Sequence, residues 1–194
     1  MKKIILGVLA LSAVSFGAEV AGETASVPVT VKAVITEAPS GLAIVDEVTG
    51  QVDQVVIDHG TIKKGTLSEA SPSIQTKGFR VVRVKSDGTG LDELGATKLS
   101  VGLSAKETEL TKIGGTANDV LTSNLELYHK TGTLATGGSN PAPGGLGNFY
   151  TVTTQTTDTE HRGEIRSIIS AATGAAGVYD NLSDRPTLAV KIDA

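Results

Sequence analysis

The chain has no cysteine and no tryptophan, and only three phenylalanines and three tyrosines among 194 residues. Without cysteine there is no disulfide, no thiolate nucleophile and no Cys-based zinc site, so a fold of this size must rest on its apolar core or on contacts with another chain. Scarce aromatics argue against a carbohydrate or small-molecule pocket, because flat ring faces are what usually stack on such ligands. Basic clusters are missing too. Lys and Arg number 17 against 21 Asp and Glu, a formal net charge of −4. A mildly acidic chain of that kind points away from nucleic acid and from insertion into or binding to anionic membranes.

The only long apolar run lies at the start. Lys2 and Lys3 precede the stretch Ile4 to Val14, and Ser15 and Gly17 supply small residues at the −3 and −1 positions. This is the pattern of an export signal, too short for a permanent span, and it predicts a signal peptide over 1–17 with cleavage after Gly17. No Cys follows the run, so a lipid anchor of the bacterial lipoprotein kind is not expected. Cleavage would leave 177 residues, enough for one domain, and remove two lysines, taking the charge to −6.

What is abundant is Thr, Val, Gly and Ala, and the dominant periodicity is two, as in half-buried strands. Val27, Val29, Val31, Ala33 and Ile35 alternate with other residues in the first such run. Further strands are expected at Leu42 to Val48, Val52 to Asp58, Phe79 to Val84, Leu99 to Leu103, Leu125 to His129, Tyr150 to Thr156, Ile165 to Ala171 and Leu188 to Ile192. Gly/Asp/Asn/Ser/Pro clusters separate them, which suits a sandwich or barrel. Helical periodicity is poor throughout; Glu107 to Ile113 is the best candidate, at one or two turns. The Gly/Pro-rich stretch 131–148 reads as an exposed connection.

The first strand is followed by Glu37-Ala38-Pro39-Ser40-Gly41, a composition suited to a flexible tether. A strand near a terminus on such a tether can pair with its own sheet or with that of another molecule. Periodicity leaves both open. Pro28 lacks an N–H and must sit at the strand's beginning or on a free edge.

Chemistry-bearing motifs are few. His59, His129 and His161 are scattered without zinc-like spacing and read as solvated loop or strand-end positions. Asp87 to Asp92 (DGTGLD) has the look of a calcium loop but lacks the completing acidic ligands, so a hairpin turn is expected. Gly144 to Gly147 lacks the Lys-Ser/Thr of a phosphate loop, and no Gly-x-Ser-x-Gly elbow is present. Asn181-Leu182-Ser183 is a formal glycosylation sequon of the kind that arises by chance. Tyr128, Phe149, Tyr150 and Tyr179 are expected to pack in the core or at strand ends. No catalytic residue, cofactor-binding residue or metal ligand is assigned, and no enzyme activity is expected.

The order of segments resembles the major pilins of the class 5, or α-type, chaperone–usher fimbriae, the family of the colonization factor antigens. The likeness is carried by Val29 to Ile35 (VTVKAVI), Gly41 to Asp46 (GLAIVD) with Val52 to Ile57 (VDQVVI), Phe79 to Asp87 (FRVVRVKSD) with Lys98 to Leu103 (KLSVGL), and Gly177-Val178-Tyr179 with Leu188 to Ile192 (LAVKI). The chain departs from the family pattern where Asp180 to Pro186 intervenes before the last strand. The resemblance implies an all-β, immunoglobulin-like sandwich of about seven to nine strands over 37–194, incomplete in the isolated subunit and completed by a neighbour's donor strand. It implies that 18–36 is the donor extension, with Val27, Val29, Val31, Ala33 and Ile35 as its plugs. It implies a C-terminal strand on which Leu188, Val190 and Ile192 meet a periplasmic chaperone. The implied partners are identical pilin subunits in a head-to-tail homopolymer, the chaperone, an outer-membrane usher, and at the fibre's end a tip adhesin and host receptor. The implied role is the shaft of an adhesive fimbria, exported through the periplasm to the cell surface and supporting attachment to host cells. The competing role is a minor or tip-associated adhesin that binds a host glycan or protein.

Overall fold

The computed structural model describes residues 41–50, 55–116, 119–130, 132–136 and 147–193. Contacts divide the chain between Thr36 and Glu37, and every described residue belongs to the second unit. The signal segment, the alternating strand Val27 to Ile35 and most of the 131–148 connection lie outside the described residues.

Among the described residues there is no helix, and ten strands build two antiparallel sheets, an all-β sandwich. They are β1 (Gly41–Asp46), β2 (Ser73–Val84), β3 (Leu91–Asp92), β4 (Lys98–Leu103), β5 (Glu107–Lys112), β6 (Val120–His129), β7 (Asn148–Thr153), β8 (Glu160–Ile169), β9 (Tyr179–Asp180) and β10 (Leu188–Asp193). The larger sheet runs β1-β2-β8-β6-β5-β9, with β3 paired to the end of β2; the smaller runs β10-β4-β7.

Alternation in the sequence becomes alternation in burial. On β8, His161, Gly163, Ile165, Ser167 and Ile169 are buried, while Glu160, Arg162, Glu164 and Arg166 lie on the other face. Phe79 and Val81 of β2, Leu125 and Leu127 of β6, and Leu99, Val101 and Leu103 of β4 join Ile165 in one core between the sheets. Each such side chain, taken fully out of water, contributes roughly 1.5–3 kcal/mol. A second, smaller cluster, Ala43, Val45 and Val82, lies on the alternate face of β1 and β2. The outer face of the large sheet is charged. Arg80 and Arg162 both bind Glu160, Arg162 and Lys130 both reach Glu47, and the Arg166 guanidinium lies 4.5 Å over the Tyr128 ring.

Three expectations need correction. Glu107 to Ile113 is not helical: its first six residues form β5, because β6 offers a backbone ladder on one side and Asp180 and Tyr179 offer one on the other. Tertiary pairing overrides the helix-forming tendency of Glu, Leu and Lys. Val55 to Asp58, the described part of the strand expected at Val52 to Asp58, keeps the period-two alternation but is in no sheet. The histidines do sit in a connection (His59) or at strand ends (His129, His161), but His161 is buried and the other two are half-buried; their surroundings are described below. The turn expected at Asp87 to Asp92 is present: Lys85 N–H donates to Gly90 O, and Asp87 Oδ1 accepts from Thr89 N–H and Oγ, which holds its carboxyl below the usual range.

Candidate functional site

The two sheets are unequal, and the inequality leaves a cleft. The small sheet covers only part of the large one, and on one side its margin is β10. β10 pairs with β4 along its whole length, from Leu188 opposite Leu103 to Asp193 opposite Lys98, and with no other strand among the described residues. At one end of the large sheet, β1 pairs with β2 and with no other strand among the described residues. A cavity of about 720 Å³ lies along these margins. Leu188 and Val190 of β10, Leu42 and Ile44 of β1, and Val55 and Ile57 form its walls; Leu125 and Ile165 are also part of its lining.

The structure therefore separates the three C-terminal residues singled out in the sequence. Leu188 and Val190 are half-buried, pack on the core and line the cleft. Ile192, opposite Leu99, is 40% exposed and does not line it. The five alternating residues Val27, Val29, Val31, Ala33 and Ile35 lie outside the described residues, so their position relative to the cleft is not given.

At one end the cleft turns polar. His59 Nδ1 lies 2.9 Å from Ser73 Oγ, and its Nε2 lies 2.7 Å from Ser167 Oγ. Ser167 Oγ is in turn 2.5 Å from Ser123 Oγ, so β2, β8, β6 and the 55–60 segment meet at one hydroxyl–imidazole cluster. Burial holds the His59 pKa below its ordinary value, with the neighbouring Asp58 acting against the shift. A neutral imidazole has one donor and one acceptor nitrogen, which is what two flanking hydroxyls satisfy.

The other two histidines form a second cluster between the sheets. Tyr150 Oη and His161 Nε2 share a hydrogen bond at 2.9 Å, and the His129 ring lies 5.2 Å from Tyr150 and 5.1 Å from His161, centroid to centroid. His161 is 9% exposed. Burial, then the charge of nearby His129, holds its pKa down to about 4, against an opposing pull from Asp158. Burial raises the Tyr150 hydroxyl above its ordinary range. Gly163 belongs to the same packing, since a side chain there would run into the Phe79 ring and the Tyr150 hydroxyl. Nothing in the spacing of His59, His129 and His161 signals these contacts. Each joins strands far apart in the chain. Asn181 of the sequon donates its side-chain amide to Thr108 Oγ at 3.2 Å.

Thr108, Asp180, Asn181 and Arg185 also line the cleft, so aliphatic and polar side chains share its walls. The edge of β10 that no described strand pairs and the aliphatic stretch of the walls suit an extended, β-branched peptide.

No protein-family model matches the sequence, and no curated protein matches it. Among solved structures, a chain from one described as "Chaperone-tip adhesin complex is vital for synergistic activation of CFA/I fimbriae biogenesis" is similar at 12% sequence identity and a TM-score of 0.42. The match covers 78% of this chain and 42% of that one. The chain spans less than half the length of that neighbour, and the superposition is too loose for function to be read across it.

Proposed function

We propose that the chain is a structural, non-enzymatic subunit of a bacterial surface fibre, an immunoglobulin-like shaft pilin that polymerises by lending a strand to its neighbour. The observation that carries this reading is the cleft whose aliphatic walls are Leu188 and Val190 of β10, on the side that no described strand pairs, Leu42 and Ile44 of β1, and Val55 and Ile57. Its occupant is the segment 26–36 of a second copy, in which Val27, Val29, Val31, Ala33 and Ile35 repeat at the period that a pleated trough accepts. Five such side chains would contribute on the order of 10 kcal/mol per joint before ordering costs. A contact between two different surfaces that does not close on itself makes a filament. Before assembly, the same trough and the free side of β10 are where a periplasmic chaperone would bind, shielding an edge otherwise open to aggregation until an usher passes the subunit outward.

Sheared surface protein on a denaturing gel tests this. With no cysteine to cross-link subunits, strand exchange predicts a ladder of oligomers that collapses to one band on boiling. Deleting 18–36 is expected to abolish the ladder and to lower secretion. A monomer band in both lanes for the intact chain, or normal fibres from the deletion, would refute the reading. An intact chain that is scarce in sheared material but binds on a glycan array would favour the tip-associated role instead.

A further inference from the structure

Residues 55–60 look like a strand in every respect but pairing. Val55, Ile57 and His59 are half-buried, while Val56, Asp58 and Gly60 are exposed. Val55 and Ile57 pack on the main core. Yet among the described residues no backbone–backbone hydrogen bond joins Val55 to Asp58 with any neighbour. Downstream, Gly60 N–H bonds only to the Asp58 carboxylate, and the next backbone tie to another part of the fold is Gly65 N–H to Ala172 O. A wall without a ladder needs some other restraint. His59 is the side chain that supplies directional bonds here, to Ser73 at the start of β2 and to the inward-facing Ser167 of β8.

We propose that His59 is a latch, holding residues 55–59 against the large sheet by two side-chain hydrogen bonds so that Val55 and Ile57 stand as a wall of the cleft. This deepens the strand-exchange reading and rests on it for the occupant, but the latch can be judged without one. Ladder bonds would fix the segment residue by residue, whereas a latch makes its opening depend on a single ring. The cleft then has two walls held by ladders, β10 and β1, and one whose position His59 sets.

The test is limited thermolysin digestion of the full chain under native conditions, with cleavage sites read by mass spectrometry. Losing two hydrogen bonds at a locally opening segment should raise cleavage at Val55 to Ile57 by about tenfold in His59→Ala, with cuts elsewhere unchanged. His59→Gln, whose carboxamide both donates and accepts, should restore protection, which a role in simple space-filling would not require. Should His59→Ala fail to fold, Ser73→Ala removes one of the two bonds at the start of β2 and should raise the same cut roughly threefold. Cleavage at 55–57 that is the same in wild type, His59→Ala and Ser73→Ala overturns the latch. A synthetic peptide of residues 26–36 separates the two readings. It should bind His59→Ala about tenfold more weakly than wild type if the latch sets the wall; equal binding overturns that role. A wild-type chain that binds no peptide refutes the strand-exchange reading, and the digestion alone then decides the latch.

Discussion

Acid should loosen this fold through His161. The ring is buried and hydrogen-bonded to the Tyr150 hydroxyl, and its pKa is held down to about 4. In the unfolded chain the same ring titrates near the ordinary imidazole value of 6.5. The folded state therefore resists protonation that the unfolded state accepts, and stability falls as pH drops through 6.5 and levels off below 4. Linkage over that interval costs about 2 kcal/mol at pH 5 and about 3 kcal/mol at pH 4, relative to neutral pH. Carboxylates act lower on the scale. Burial would raise Glu160, but Arg162 and Arg80 hold it below its ordinary 4.5, and Asp46 is likewise held below 3.8. Their contributions are present above those values and are lost only in stronger acid. The window from 6.5 to 4.5 thus belongs to His161, with His59 shifted in the same direction. Urea unfolding at pH 7.5, 6, 5 and 4 is the assay, run beside His161→Gln, whose amide oxygen can still accept from Tyr150. Wild type should lose stability across the window, and the variant should lose about 2 kcal/mol less by pH 5. An NMR titration placing His161 at or above 6.5, or parallel losses in the two proteins, would refute the argument.

Three further substitutions separate packing from the cleft. Gly163→Ala pushes a methyl into Phe79 and Tyr150, and overpacking of this kind should cost about 1–3 kcal/mol in urea unfolding; an unchanged midpoint would mean the inner face at β8 is looser than described. Val190→Asp and Ile192→Asp place the same charge two positions apart on β10, one in the cleft wall and the other on a side chain 40% exposed. The first should weaken capture of a 26–36 peptide at least about tenfold, and the second should leave it nearly unchanged; equal effects in calorimetry would place the occupant elsewhere.

Much of the sandwich was legible because burial on a half-covered sheet has period two. Gly41–Asp46, Lys98–Leu103 and Leu188–Asp193 sit within a residue or two of where their Val/Leu/Ile alternation put them. Alternation reports which side chains turn inward, not whether the backbone finds a partner, and so it marked Val55 to Asp58 as a strand where the described residues have none. The converse error fell on Glu107–Lys112, where Thr108 is the only buried residue and the strand exists because β6 and β9 lie on either side. The site was less legible. Leu188 and Val190 could be named from the pattern, but the trough beside them is made by β1, β6 and β8, which come together only through pairing across the chain. The three histidines show the same limit. Their partners, Ser73 and Ser167 for one and Tyr150 for another, carry no spacing that a linear reading could detect.

The pairing at the centre of the large sheet also constrains when the fold can form. Strand β2 is bound along most of its length to β8, with Ser73 facing Ile169 and Val82 facing Glu160, and β4 waits for β10, with Lys98 facing Asp193. A chain that emerges from its N-terminal end has β2 and β4 in hand long before the strands that satisfy them. Closing loops of this length makes folding slow. Until the strand that ends at residue 169 has emerged, β2 has, among the described residues, only β1 and the two-residue β3 as ladder partners. Any machinery that handles this polypeptide during its synthesis therefore meets a half-sheet with two waiting strands, and must keep it from pairing with the wrong ones until the last fifth of the chain arrives.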